Sequence, residues 1–192
     1  MRIISGLAGG IRLRAPAGSA VRPTTDRVKE SLFAALEPLA GRRVVDLFSG
    51  TGALGLEALS RGAAAVALVE RDRRALACLR DNAERVLKAI GAGPGELRIL
   101  PGEVAAVPRL LPDWAGRVDI ILADPPYQPP PHAYGAAALL GDAAFAAWAG
   151  DALLVLEHAA ETVLPWHPAG LWQPTARRSY GSLQVTLARR AK

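Results

Sequence analysis

Four consecutive residues, Asp124-Pro125-Pro126-Tyr127, close an apolar run at 118–123 and carry the most specific chemistry in the chain. An amino group on an aromatic base is a poor nucleophile because its lone pair is delocalised into the ring. Asp124 can accept one of its N–H groups and the Pro125 carbonyl the other. Both bonds favour a pyramidal nitrogen whose lone pair points at an electrophile. The two prolines restrict the backbone, so that this carbonyl is held ready. Tyr127 offers a ring on which a base turned out of its stack can lie.

The electrophile is indicated by a second motif, Asp46-Leu47-Phe48-Ser49-Gly50-Thr51-Gly52-Ala53-Leu54-Gly55. A G-x-G-x-x-G loop is shared by many nucleotide-binding proteins and is weak evidence alone. Its neighbour sharpens it. A carboxylate such as Asp46, four residues before Gly50, would repel a dinucleotide pyrophosphate. It suits a ligand with an ammonium and a sulfonium, and S-adenosylmethionine has both. Glu70, twenty residues after Gly50, ends the next apolar run, where an acid can accept both ribose hydroxyls. Glu103, after the third run, stands where an adenine pocket is expected. Phe48, Thr51 and Arg71 complete the cofactor-contacting set. The reaction expected is in-line methyl transfer by proximity and orientation, without a metal. The histidines, His132, His158 and His167, lack metal-ligand spacing, and His158 reads as structural.

These motifs need elements to hold them. Apolar runs at 44–48, 65–70, 97–100, 118–123, 153–157 and 183–188 read as strands, several of them continuous Val/Ile/Leu as in parallel sheets covered on both faces. Helices are expected at about 53–61, 72–90, 103–111 and 134–149, with Cys78 packed in the stripe Leu76, Leu79, Ala83, Val86 and Leu87. Such alternation predicts a doubly wound α/β sheet with crevices at the carboxyl ends of its strands. Residues 171–190, with a turn at Tyr180-Gly181-Ser182, predict a terminal antiparallel hairpin. Thr24, Thr25 and Asp26 offer cap oxygens for a helix whose apolar face is Val28, Leu32, Ala35 and Leu36. The domain reading is a basic arm or hairpin over 1–20 and a single domain over 21–192.

The net charge of +5 is concentrated. Residues 1–29 carry Arg2, Arg12, Arg14, Arg22, Arg27 and Lys29 against Asp26, a balance of +5, and residues 177–192 carry another +5. The intervening 147 residues therefore sum to −5. Positive ends on an acidic middle suit a surface that meets phosphate. There is no run of 18 apolar residues and no signal-like apolar start, so a cytoplasmic protein free of the membrane is expected.

Together these motifs resemble the RsmD-type family of 16S ribosomal RNA (guanine-N2)-methyltransferases. The resemblance runs through Arg2-Ile3-Ile4-Ser5-Gly6, Arg22-Pro23-Thr24-Thr25-Asp26-Arg27-Val28-Lys29-Glu30-Ser31-Leu32-Phe33, the glycine loop with Leu56-Glu57-Ala58-Leu59-Ser60-Arg61, Glu70-Arg71-Asp72, and the Asp124 motif. It implies a seven-stranded Rossmann-like S-adenosylmethionine-dependent methyltransferase fold. It implies a guanine of 16S ribosomal RNA as target, in the small subunit or its assembly intermediate, met by a monomer. It places Arg22, Thr24, Thr25 and Asp26 near the methionine end of the cofactor, with Thr25 counted as a cofactor contact, or near the target base. The basic arm, with Arg2, Arg12, Arg14 and Arg27, would touch RNA. Tyr127 stands where many relatives have phenylalanine, and Glu103 departs from the more usual Asp or Asn. The residues alone do not separate guanine from adenine, so an adenine-N6 methyltransferase on DNA or RNA is the alternative.

Overall fold

The apolar runs of the first hundred residues become three parallel strands, β1 (Arg43–Leu47), β2 (Ala65–Glu70) and β3 (Glu96–Pro101), in the order β3-β2-β1. The computed structural model describes residues 1–16, 26–91, 95–127, 133–166 and 170–191, which fall into two compact units, Met1–Pro101 and Gly102–Lys192. The rungs Val45↔Ala67 and Ala67↔Arg98 set the register of the first unit. Val44, Val45, Leu47, Val66, Leu68 and Val69 are fully shielded from water, as continuous apolar strands require.

Three helices surround these strands in sequence: α1 (Asp26–Leu36), α2 (Ala53–Ser60) and α3 (Arg73–Ile90). Helix α2 buries residues on every side. Helix α3 is amphipathic and is capped by Asp72, whose carboxylate accepts from the amides of Arg74 and Ala75. Its buried stripe is Leu76, Leu79, Ala83 and Val86, with Asn82 among them. Cys78 and Leu87 were expected in that stripe but flank it: Cys78 is only half-buried and Leu87 is 40% exposed. One residue at about 100° of helix turn separates Leu87 from Val86, enough to carry it off a narrow stripe.

The first residues form a small antiparallel hairpin. Ile3 donates to Ile11, Gly10 to Ile3 and Leu13 to Met1, around a bridge between Arg2 and Arg12. What fixes the hairpin is the C-terminal half of α2. The amides of Ile4 and Ser5 donate to the two carboxylate oxygens of Glu57 at 2.7 and 3.0 Å. Ser60 accepts from the Ala8 amide and donates to the Ser5 carbonyl. Gly6 lies so close that a side chain there would sit 2.0 Å from the Ser60 carbonyl oxygen. Glu57 is wholly buried, and its charge is met by Lys29 at 3.1 Å and Arg61 at 2.8 Å. Burial pulls the Lys29 ammonium below its ordinary pKa, with Glu57 as the main opposing influence. Lys29 also donates to the Arg2 carbonyl. The buried face of α1 is therefore Val28, Lys29, Leu32, Phe33 and Leu36, whereas Ala35 was expected there and is exposed. The lysine turns inward because a carboxylate waits for it.

The second unit holds β4 (Ile120–Ala123), β5 (Leu153–Ala159), β6 (Trp172–Tyr180) and β7 (Leu183–Arg190), in the order β4-β5-β7-β6. β4 and β5 are parallel, with Ile120 opposite Leu153 and Ala123 opposite Leu156. β7 runs antiparallel to both β5 and β6, so the terminal hairpin is present as read. A four-residue helix, α4 (Val107–Leu110), lies between two short 3-10 turns. The single helix expected at 134–149 is two, α5 (Ala136–Gly141) and α6 (Ala143–Ala149). Asp142 interrupts it by taking an extended backbone and capping α6 through the Phe145 amide, an option its short polar side chain always holds open. Phe145 packs against Trp148 and Trp172 at ring separations of 5.7 and 6.2 Å, making the core of this unit. Among the described residues, no helix is long and apolar enough to cross a membrane.

Removing the charge at the centre of the first unit tests the hairpin's anchor. Glu57→Gln leaves Lys29 buried without its counter-charge, and Arg61 with Glu37 alone, and is expected to cost about 3–5 kcal/mol in urea unfolding. Amide exchange at Ile4 and Ser5 is expected to accelerate alongside.

Candidate active site

The two motifs lie in different units, and the surroundings of each are built locally. In the first unit, β1 delivers the chain into a loop in which Phe48, Gly50 and Gly52 take φ of 57°, 54° and 82°. Phe48 is the only non-glycine among the described residues with positive φ, a cost that persists only where the surroundings impose it. They do so from several sides. The Ser49 amide donates to Val69 of the neighbouring strand, and its hydroxyl to the Asp46 carbonyl. The Gly50 amide donates to Glu70 at 2.8 Å. Asn82, entirely buried on α3, donates to the Thr51 carbonyl and grips Arg14 by both its amide and its carbonyl.

The three glycines do different work. At Gly52 a side chain would strike Leu79 of α3 at 2.3 Å, and at Gly55 it would strike Leu68 of β2 at 2.1 Å, so the first glycine lets the loop pack on a helix and the second lets helix pack on strand. At Gly50 nothing lies nearer than the Phe48 carbonyl oxygen at 3.9 Å. That side of the loop is open to a ligand.

Two carboxylates fasten this loop. Asp46, 1% exposed, accepts from the Gly55 amide at 2.8 Å. Burial pushes its pKa from 3.8 to about 7, the Gly55 amide holding it down and the charge of Glu70 adding to the rise. Glu70 accepts from Gly50 through one oxygen and from the amides of Arg71 and Asp72 through the other. Loop residues 48–52 carry no basic side chain. A buried acid beside a second acid, with no basic side chain in the loop, suits a cationic ligand and not a pyrophosphate, so these residues fit S-adenosylmethionine.

Other expected contacts fall differently. Phe48 is half-buried and Arg71 exposed, both beside the loop. Glu103 is exposed and belongs to the second unit, where its carbonyl accepts from Ala106. Arg22, Thr24 and Thr25 lie outside the described residues. Arg2, Arg12, Arg14 and Arg27 are exposed on the surface, as contacts with phosphate require. Arg2 pairs with Asp26 at 3.0 Å, so the Asp26 carboxylate is engaged with the hairpin.

In the second unit the motif follows β4 directly. Pro125 is buried, Asp124 half-buried and Tyr127 46% exposed. Pro125, Pro126 and Tyr127 border a cleft of about 120 Å³ with Glu157 and Leu164 among its other walls. Glu157 is 4% exposed and accepts from the Tyr127 hydroxyl at 3.2 Å. Sequence reasoning missed both Glu157 and Asn82. Glu157 was signalled as the first acid closing the apolar run of β5, and Asn82 as a polar residue on an apolar stripe. His158 is structural: its ring nitrogens meet the Ala159 carbonyl and the Thr186 hydroxyl, each at 2.9 Å, and burial lowers its pKa.

Asp46 gives the glycine loop a pH signature. With a folded pKa near 7 against 3.8 ordinarily, its ionisation is disfavoured by folding. Its contribution is therefore intact below pH 3.8, declines as pH rises, and is fully lost above about 7, amounting to about 4 kcal/mol. Asp46→Asn is expected to match the ligand-free parent in thermal stability near pH 4 and exceed it at pH 8. Equal pH dependence in both proteins would refute the assignment.

The chain resembles known proteins along its whole length. The family described as conserved hypothetical protein 95 matches residues 1–189. Bacillus subtilis YlbH is 49% identical over 83 residues, 43% of this chain and 45% of that protein. Ribosomal RNA small subunit methyltransferase D of Escherichia coli K12 is 51% identical over 74 residues, 38% of this chain and 37% of that protein. The matched stretches thus span less than half of these relatives. The solved structure of Escherichia coli yhhF is 34% identical, covers 99% of this chain and 97% of its own, and superposes with a TM-score of 0.74. Three strands in one unit and four in the other, mostly parallel with a C-terminal antiparallel pair, are those of the Rossmann-like S-adenosylmethionine-dependent methyltransferase fold. By sequence and by fold, the chain belongs to the conserved hypothetical protein 95 family, the RsmD type.

Proposed function

We propose that this chain is an S-adenosylmethionine-dependent methyltransferase that modifies the exocyclic N2 amino group of a guanine in 16S ribosomal RNA. It works as a monomer in the cytoplasm on the small ribosomal subunit or its assembly intermediate. The observation that carries the reading is the cleft bordered by Pro125 and Tyr127, directly after Asp124: a small space with a half-open aromatic ring and Glu157 among its walls. The Escherichia coli relative named for methylating small-subunit ribosomal RNA supports the substrate class.

S-adenosylmethionine, when bound, supplies a methyl group made electrophilic by its sulfonium. The chain does the rest by holding and orienting. Asp46, Glu70 and the backbone at 48–52 hold the cofactor, the acids facing its positive charge and ribose hydroxyls. Asp124 accepts one N–H of the target amino group and the Pro125 carbonyl the other, which localises the nitrogen lone pair. Asp124 takes the proton that the nitrogen sheds. Tyr127 stacks on the base. Positioning of this kind accounts for most of the acceleration expected of such a transfer. The exposed arginines of the hairpin contribute phosphate contacts.

Asp124→Ala is expected to lower methyl transfer to unmodified small subunits roughly 100- to 1,000-fold, the scale for removing one preorganised polar group. Cofactor affinity by calorimetry should be unchanged, and transfer at the parent rate would refute the role. Mass mapping of the modified RNA reports whether the methyl sits on guanine N2 or adenine N6. Replacing Arg12 and Arg14 by alanine is expected to weaken RNA binding and to reduce the salt slope by about one for each phosphate that is no longer neutralised. A salt slope identical to the parent's would remove the arm from the interface.

A further inference from the structure

We propose that Glu157 is the residue that selects guanine, accepting the N1–H of the base whose N2 amino group Asp124 holds; this rests on the function proposed above. Neither motif contains Glu157, and it comes into view through strand register. β4 and β5 run parallel with Ala123 opposite Leu156 as their last rung. Asp124 and Glu157 are the next residues on the two chains. Neighbouring strands lie about 4.8 Å apart, so two carboxyl-bearing residues stand side by side at one sheet end.

Glu157 is 4% exposed yet forms part of the cleft wall, together with Pro125, Tyr127 and Leu164. Burying a carboxylate against proline and leucine is costly unless it is hydrogen-bonded. One oxygen accepts from Tyr127 at 3.2 Å, which ties the stacking ring to the acid and sets the carboxylate's direction. That hydroxyl is what tyrosine adds over phenylalanine at this position.

The chemistry of the bases then discriminates. Guanine presents two adjacent donors on its Watson–Crick edge, N1–H and the N2 amino group, and a pair of neighbouring carboxylates accepts both. Adenine presents an amino group beside N1, and that N1 is a lone pair. A buried carboxylate facing it would gain no hydrogen bond and meet repulsion. Sites built around a buried hydrogen-bonding group reject analogues that leave the group unpaired far better than sites built on shape.

2-Aminopurine separates the two interactions, because it keeps the 2-amino group and has an unprotonated N1. The experiment measures methyl transfer by the parent and by Glu157→Gln on small subunits reconstituted with guanine or 2-aminopurine at the position identified by mass mapping. The parent is expected to prefer guanine by roughly 10- to 100-fold, the range of one base-edge hydrogen bond. The glutamine amide can donate to N1, so the variant should bring the two rates within about threefold of each other. A parent that methylates both bases equally overturns the proposal without recourse to any variant. A folded Glu157→Gln protein that keeps the parent's ratio overturns it too. No methylation of guanine N2 by the parent would instead sink the proposed function, a result distinguishable from either.

Discussion

A carboxylate kept out of water at the end of β1 is the constraint around which the first unit is arranged. Asp46 cannot be solvated, so it takes the Gly55 amide, and that bond draws the start of α2 down onto the strands. Helix and strand meet so closely there that only glycine fits at position 55. The same burial leaves the acid poised between its charged and neutral forms. The charge thus works against stability at the same side chain whose hydrogen bond seats the helix.

Much of this was legible because strands shielded on both faces leave uninterrupted apolar runs. β2 was read to the residue, and α3 and β1 to within one, since their boundaries coincide with Gly, Asp or charged residues that cap or stop an element. The glycine loop and the Asp124 motif were readable for a different reason: both are contiguous, so their chemistry sits in a short window. Glu57 and Lys29 show what such windows miss. They are 28 positions apart, each resembles an ordinary helix-surface charge, and only the fold reveals that they neutralise one another in the core. Asp142 was a readable signal given too little weight, a helix-capping residue directly after a glycine.

Glu157 was hidden by register alone. An acid at the end of an apolar strand is commonplace, and its meaning depends on which strand lies alongside and at what offset. Parallel pairing of β4 with β5 supplies both, and the hydroxyl of Tyr127 makes the link visible as a hydrogen bond. The second unit is otherwise held by an aromatic cluster and a long antiparallel hairpin, ordinary packing that leaves the strand ends clear for chemistry.

The side chain of Asn82 makes three hydrogen bonds: its oxygen accepts from the Arg14 amide, and its two N–H groups donate to the carbonyls of Arg14 and Thr51. One amide group is thus a three-way joint between the outgoing limb of the basic hairpin and the ligand loop. A displacement of the limb must either carry the loop with it or leave a buried polar group stranded, so the arginine-bearing limb and the glycine loop are tied together through a single side chain.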